Sequence, residues 1–182
     1  MLSQDERRTL LDIARRSLSE AAAGATYRPP TDLPPTLLAP GAAFVTVRAW
    51  DGQLRGCIGQ TEAVAPLAET VAQMAQAASQ QDPRFPPVAP GEVDGLRVEI
   101  SVLSQPEPID PADIEVGRHG LVIERGVARG LLLPQVASER DWDRETFLDH
   151  TCLKAGLPAG AWREAGTRVL AFTAEVFGED DE

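Results

Sequence analysis

Lysine is nearly missing from this 182-residue chain: Lys154 is the only one, and the remaining fixed positive charge is arginine. We read that as the base composition of the source genome, not as function. Cysteine is scarce as well. Cys57 and Cys152 are too few for a disulfide framework, so reduced thiols in a cytoplasmic protein are expected. No apolar run approaches the length of a membrane span, and the start, Met1 to Arg8, is too polar for a secretory signal. A formal net charge of −11 argues against a partner bound through its phosphate backbone, so no nucleic acid is expected. The chain has no Gly-x-Gly-x-x-Gly, no Walker loop and no Gly-x-Ser-x-Gly elbow, and no cofactor is expected. Zinc spacing is missing too. The close pair His150 and Cys152 would face apart on a helix, so no metal is expected.

What is present has the patterning of one globular α+β domain. Ser3-x-x-Glu6 is a capping box and starts a helix near Gln4, which should end around Ala23-Gly24. Five prolines between residues 28 and 40 (Pro29, Pro30, Pro34, Pro35 and Pro40) predict an extended strap without regular hydrogen bonding. Phe44–Trp50 and Gln53–Ile58 read as a hairpin around Asp51-Gly52. Val64–Gln80 carries a helical apolar stripe, and Leu96–Leu103 alternates as a half-buried strand. A second hairpin (Leu121–Leu132), a helix (Asp143–Ala155) and a strand (Arg168–Phe177) then repeat the order. This weak pattern suggests a duplicated hairpin-helix-strand unit and antiparallel sheets packed with helices. The tail 179–182 should fray.

The Asp51-Gly52 turn sets a register. A two-residue loop places Arg48 opposite Arg55 and Thr46 opposite Cys57, with Val45, Val47, Gly56 and Ile58 on the apolar face. Cys57 then lies on the polar face beside two arginines, and Gly56 and Gly59 leave the backbone open to a ligand. Arg48 facing Arg55 needs a counter-charge. Either an anionic substrate group or a Cys57 thiolate supplies it, or a structural carboxylate does, with Glu99 the obvious candidate. Cys152 reads as core, His150 as solvated, and His119 as a loop histidine open to an acid, base or ligand role.

Leu54-Arg55-Gly56-Cys57-Ile58-Gly59 resembles the signature of the AMMECR domain family, whose prokaryotic members are called AmmeMemoRadiSam system protein A. Asp82-Pro83-Arg84-Phe85, Ile100–Ser104, Gly117–Leu121, Gly130–Val136, Thr151–Leu157 and Phe172–Phe177 follow the same pattern in order. The resemblance implies an α+β domain in two subdomains with a cleft, and association with a Memo-type protein and a radical S-adenosylmethionine enzyme. It brings no established reaction. Two classes therefore stay open: an enzyme or enzyme subunit acting through Cys57 on a small or peptide-borne substrate, and a binding or adaptor module. The expected site comprises Cys57 and, less strongly, His119 as catalytic candidates. Arg48, Arg55, Gly56, Gly59, Arg84 and Gln135 are the substrate-binding candidates. Loops at the sheet ends should bring Asp82-Pro83-Arg84-Phe85 and Pro134-Gln135 to the same cleft as Cys57.

Overall fold

Ser3 caps the first helix as its sequence predicts. Its hydroxyl accepts from the Glu6 N–H, and the Glu6 carboxylate accepts from the Ser3 N–H at 2.7 Å. The helix, α1 (Gln4–Ala22), buries Leu10, Leu11, Ala14 and Leu18. The computed structural model describes residues 1–181. They divide into two units: Met1–Leu103 with the segment from Glu175 onward, and Ser104–Ala174.

The first unit is a four-stranded sheet with helices on one face. Its strands are β1 (Ala42–Ala49), β2 (Leu54–Gln60), β3 (Leu96–Leu103) and the chain's last strand, β8 (Ala174–Gly178). They lie in the order β2-β1-β3-β8, with β1 antiparallel to both β2 and β3. Val45, Val47, Val98 and Ile100 point into a core shared with α1 and α3 (Leu67–Gln80). Alternation with period two makes that face apolar. The apolar stripe begins three residues later than the sequence suggested. Pro66 sits at the helix N-cap and disfavours helical backbone in Ala65, leaving Val64 exposed. The proline-rich strap also holds one helical turn, α2 (Pro35–Leu38). Pro35 fits its first position, where no N–H is needed, and Leu37 is buried. The tail does not fray as expected at Glu179 and Asp180. The Glu179 carboxylate accepts from Arg15 Nε and from the Val98 N–H, each at 2.8 Å, and Arg97 pairs with Asp180. Glu182 lies outside the described residues.

The second unit repeats the plan. Strands β4 (Glu107–Pro108), β5 (Gly120–Arg125), β6 (Ala128–Leu132) and β7 (Arg168–Phe172) form an antiparallel sheet ordered β4-β7-β5-β6. Gly126, at a φ of 58°, supplies the turn of the β5–β6 hairpin. Helix α4 (Pro134–Ser138) follows β6, and α5 (Arg144–Lys154) packs its Phe147, Leu148 and Cys152 into a core with Leu121, Ile123 and Val169. Asp143 caps α5 through the Thr146 N–H, and Gly156, at a φ of 76°, ends it. The single strand expected over Arg168–Phe177 is broken at Thr173. There the Thr173 N–H donates to Ser104 Oγ and the Thr173 carbonyl accepts from the Ser104 N–H, so β7 and β8 belong to different sheets.

The two units share register as well as order. In the first, Val47 pairs with Gly56 on one side and Val98 on the other. In the second, Ile123 pairs with Gly130 and Val169. Each glycine lies under the end of a helix. A Cβ on Gly56 would stand 2.0 Å from the Ala78 carbonyl oxygen, and one on Gly130 would stand 2.2 Å from the Ala155 nitrogen. Both neighbours are backbone and cannot rotate away. Gly56→Ala should therefore lower stability by about 3 kcal/mol or more in urea unfolding. Gly91→Ala, built into open space, should stay within about 0.5 kcal/mol. Equal stabilities of the two variants would refute the packing role of Gly56.

Candidate functional site around Cys57

The hairpin that carries Cys57 reaches the expected pairing by a different path. Its loop holds Trp50, Asp51 and Gly52, not Asp51 and Gly52 alone. The Ala49 N–H donates to the Gln53 carbonyl, and Gly52 has a φ of 85°. Arg48 consequently pairs with Leu54, not Arg55. A bulge between Val47 and Arg48 absorbs Arg55 as the extra residue and restores Val47 to Gly56 and Thr46 to Cys57. Longer loop and bulge offset each other, so Cys57 faces the polar side as predicted, while the Arg48–Arg55 pair does not form.

Thr46 and Cys57 are thus cross-strand neighbours on the polar face. The Thr46 hydroxyl donates to Cys57 Sγ at 3.3 Å. Cys57 is half-buried, whereas Cys152 is fully buried and its thiol is pushed up by burial. β2 is an edge strand, so one side of its backbone has no strand partner. At Cys57 that side is closed by the Asp82-Pro83-Arg84 segment. Asp82 Oδ2 accepts the Cys57 N–H at 2.9 Å, and Arg84 donates to the Cys57 carbonyl at 3.4 Å. The two side chains also bind each other, with Arg84 to Asp82 contacts of 2.7 and 3.0 Å. A carboxylate and a guanidinium here do the work of a neighbouring strand's C=O and N–H.

Asp82 is almost wholly buried, its side chain 2% exposed, against 55% for Arg84. The Arg84 hydrogen bond, with the Cys57 and Arg84 backbone N–H groups, holds the Asp82 carboxyl far below the usual carboxylate range, against the opposing effect of burial. Arg84 is correspondingly held above its ordinary value, first by Asp82 and, less, by Cys57. The guanidinium that reaches Cys57 is therefore that of Arg84.

The other expected residues are placed differently. Arg55 is largely buried, with its side chain 14% exposed, and is bound at both ends. It pairs with Glu92 at 3.1 Å and donates to the Pro86 carbonyl at 2.8 Å. Its counter-charge is Glu92, not Glu99; Glu99 stands opposite Thr46 and forms no ion pair among the described residues. Arg48 is exposed, lies opposite Arg97, and donates only weakly to the Gly52 carbonyl at 3.4 Å. Gly56 and Gly59 do not open the backbone to a ligand. Ala78 fills the space over Gly56, and the Phe44 ring lies on Gly59, 2.1 Å from where a Cβ would be. His119 and Gln135 belong to the second unit. His119 Nδ1 accepts the Glu115 N–H at 3.0 Å, which ties the ring to its own turn. Gln135 is exposed in the first turn of α4.

Comparing the two units sharpens the position of Arg48. Its register equivalent in the second unit is Glu124, which pairs with Arg129 at 3.1 Å and with Arg168 at 2.8 Å. The first unit has an arginine in place of that shared carboxylate, and Arg55 and Arg97 find carboxylates elsewhere, on Glu92 and Asp180. Thr46 and Glu92 carry no sequence signal that marks them as site residues, whereas Asp82 lies in the segment expected beside Cys57. Asp82 and Arg84, opposite charges flanking a proline, gave the one readable signal. Among the described residues no cluster of three His, Cys, Asp or Glu side chains is arranged to hold a metal, and no helix is long and apolar enough to cross a membrane.

The sequence model of the AMMECR1 family matches residues 11–177. The chain belongs to the AMMECR1 family. Its AMMECR1 relatives include a protein of Methanothermobacter thermautotrophicus, 50% identical over 98% of this chain and 97% of its own. Another, from Thermofilum pendens, is 46% identical over 98% of this chain and 92% of its own. The crystal structure of the uncharacterized protein PH0010 from Pyrococcus horikoshii is similar, with a TM-score of 0.77 and 44% identity over 94% of this chain and 90% of that one.

The Asp82 clamp makes a pH prediction for this AMMECR1 chain. The folded-state pKa of Asp82 lies below its unfolded value. Its contribution is fully present above about pH 4, near the unfolded pKa, and is lost as pH falls through the folded value. Asp82→Asn should cost about 2–3 kcal/mol at neutral pH, the lower end for a broken buried pair because Arg84 is half exposed. The variant should also lose part of the wild type's fall in stability below about pH 4. Parallel stability–pH curves for the two proteins would contradict this.

Proposed function

We propose that this protein is an enzyme or enzyme subunit that acts through the Cys57 thiol on a small or peptide-borne substrate, together with a Memo-type protein and a radical S-adenosylmethionine enzyme. The observation that carries the reading is the treatment of one cysteine. The residue is half-buried and its sulfur accepts a hydroxyl hydrogen bond from Thr46, while its backbone N–H and C=O are both held by the Asp82–Arg84 pair. The hydroxyl contact and the anchored backbone together fix where the sulfur points. The named partners rest on the resemblance of the Leu54–Gly59 motif and those that follow it. Arg48, an exposed cation on the same face as Cys57, is the group best suited to receive an anionic part of the substrate. Gln135 and His119 keep their candidate roles on their sequence positions: Gln135 follows the return strand of the second hairpin, and His119 lies in a glycine-flanked loop.

One observation favours the adaptor reading. Among the described residues no imidazole or carboxylate is hydrogen-bonded to Cys57 Sγ, so a nucleophile would have to lose its proton to solvent or substrate. Competitive alkylation of the native protein, read by peptide mass spectrometry, tests the thiol: Cys57 should label at least about tenfold faster than Cys152. Equal or faster labelling of Cys152 would overturn the proposal. Affinity capture then separates the two readings. Cys57→Ser that still captures both partners, yet fails to restore their product in cells lacking the protein, supports the enzyme; full restoration supports the adaptor.

A further inference from the structure

We infer that the second unit binds a small organic anion with an apolar body, in a pocket formed by β6, α4 and α5. The pocket is an open surface depression of about 310 Å³. Its apolar lining is Leu132, Val136 and Leu153, and Leu153 remains 53% exposed. Its charged lining is Arg140 and Lys154, and among the described residues no carboxylate lines it. Most arginines of this acidic chain are ion-paired, but neither Arg140 nor Lys154 has a carboxylate partner among the described residues. Uncompensated positive charge beside open apolar surface fits a ligand that carries one anionic group on a hydrophobic skeleton.

The wall of the pocket is built rather than loose. His150 is exposed, as expected from sequence, and its ring also stacks on Trp142, with centroids 3.9 Å apart and planes 6° from parallel. His150, Leu153 and Lys154 fall at i, i+3 and i+4 on α5 and so share one face. Trp142 is fixed by the end of α4. The Trp142 N–H donates to the Ala137 carbonyl at 3.0 Å, and the Asp141 N–H to the Ser138 carbonyl at 3.4 Å. These are the two bonds of a Schellman cap, with Asp141 at the left-handed position, φ 51°, where glycine is usual. That turn places the Arg140 guanidinium over the Trp142 ring, 5.3 Å from its centroid. A non-glycine residue held in left-handed backbone next to an uncompensated cation is the kind of local cost that recurs at binding sites.

The test is a titration of the full-length, ¹⁵N-labelled protein with two probes of like skeleton. One is 1-anilinonaphthalene-8-sulfonate, whose sulfonate stands in for a ligand carboxylate or phosphate; the other is the uncharged N-phenyl-1-naphthylamine. The sulfonate should bind saturably at one site per chain and shift the Trp142 indole N–H and the amides of Val136, Leu153 and Lys154. Arg140→Gln with Lys154→Gln should weaken it about tenfold or more, and leave the uncharged probe's weaker binding unchanged. Leu153→Glu, which keeps both cations, should weaken both probes. Shifts scattered over the chain, no saturation, or equal sulfonate affinity for wild type and the double variant would overturn the proposal. The Cys57 reading is untouched by either result, because the alkylation rates do not involve these residues.

Discussion

A glycine under the last turn of a helix sets the distance between layers in both halves of this protein. Gly56 and Gly130 let backbone meet backbone, where any Cβ would stand 2.0 to 2.2 Å from a main-chain atom. Everything on the far side of each strand inherits that position. Cys57 follows Gly56 directly, so the close approach on the buried face determines how the polar face is presented. The same constraint accounts for the shared register of the two units, since Val47 and Ile123 occupy matching places beside their glycines. Packing of this kind tolerates no added methyl, and the Arg-Gly step in each hairpin is better explained by helix contact than by ligand access.

On the edge of the first sheet the same strand meets a second demand. An unpaired strand edge invites another chain, and this one is closed by side chains. Asp82 and Arg84 bind the two backbone groups of Cys57, and Arg55 is drawn away to Glu92 and the Pro86 carbonyl. Edge protection and presentation of the thiol are therefore one arrangement. A substitution in the clamp would be felt both in stability and in the orientation of Cys57.

The fold was largely readable because its signals are local. The capping box at Ser3, the alternation over Leu96–Leu103, and the glycine after α5 each act within a few residues. The remaining features depend on cancellation or distance. The Thr46–Cys57 pairing was right although the Asp51-Gly52 loop is longer than assumed, because the bulge at Arg55 restored the count. Glu92 lies 37 residues from Arg55, and nothing in the spacing announces it. Sequence does not show what fills the space above a missing side chain, and over Gly56 and Gly59 it is Ala78 and Phe44. The strand from Arg168 was drawn through Thr173 because its apolar alternation continues, whereas hydrogen bonding with Ser104 breaks it.

That break at Thr173 gives the two units different histories during synthesis. The second unit has all its strands once Phe172 has been made, so it is complete as a contiguous stretch of chain. The first unit lacks its fourth strand until β8 emerges. Until then β3 keeps one edge unpaired, and Arg15 and the Val98 N–H wait for Glu179. A chain cut short between Phe172 and Ala174 is thus expected to carry a finished second unit and an open first unit, with an exposed sheet edge for chaperones or proteases to find.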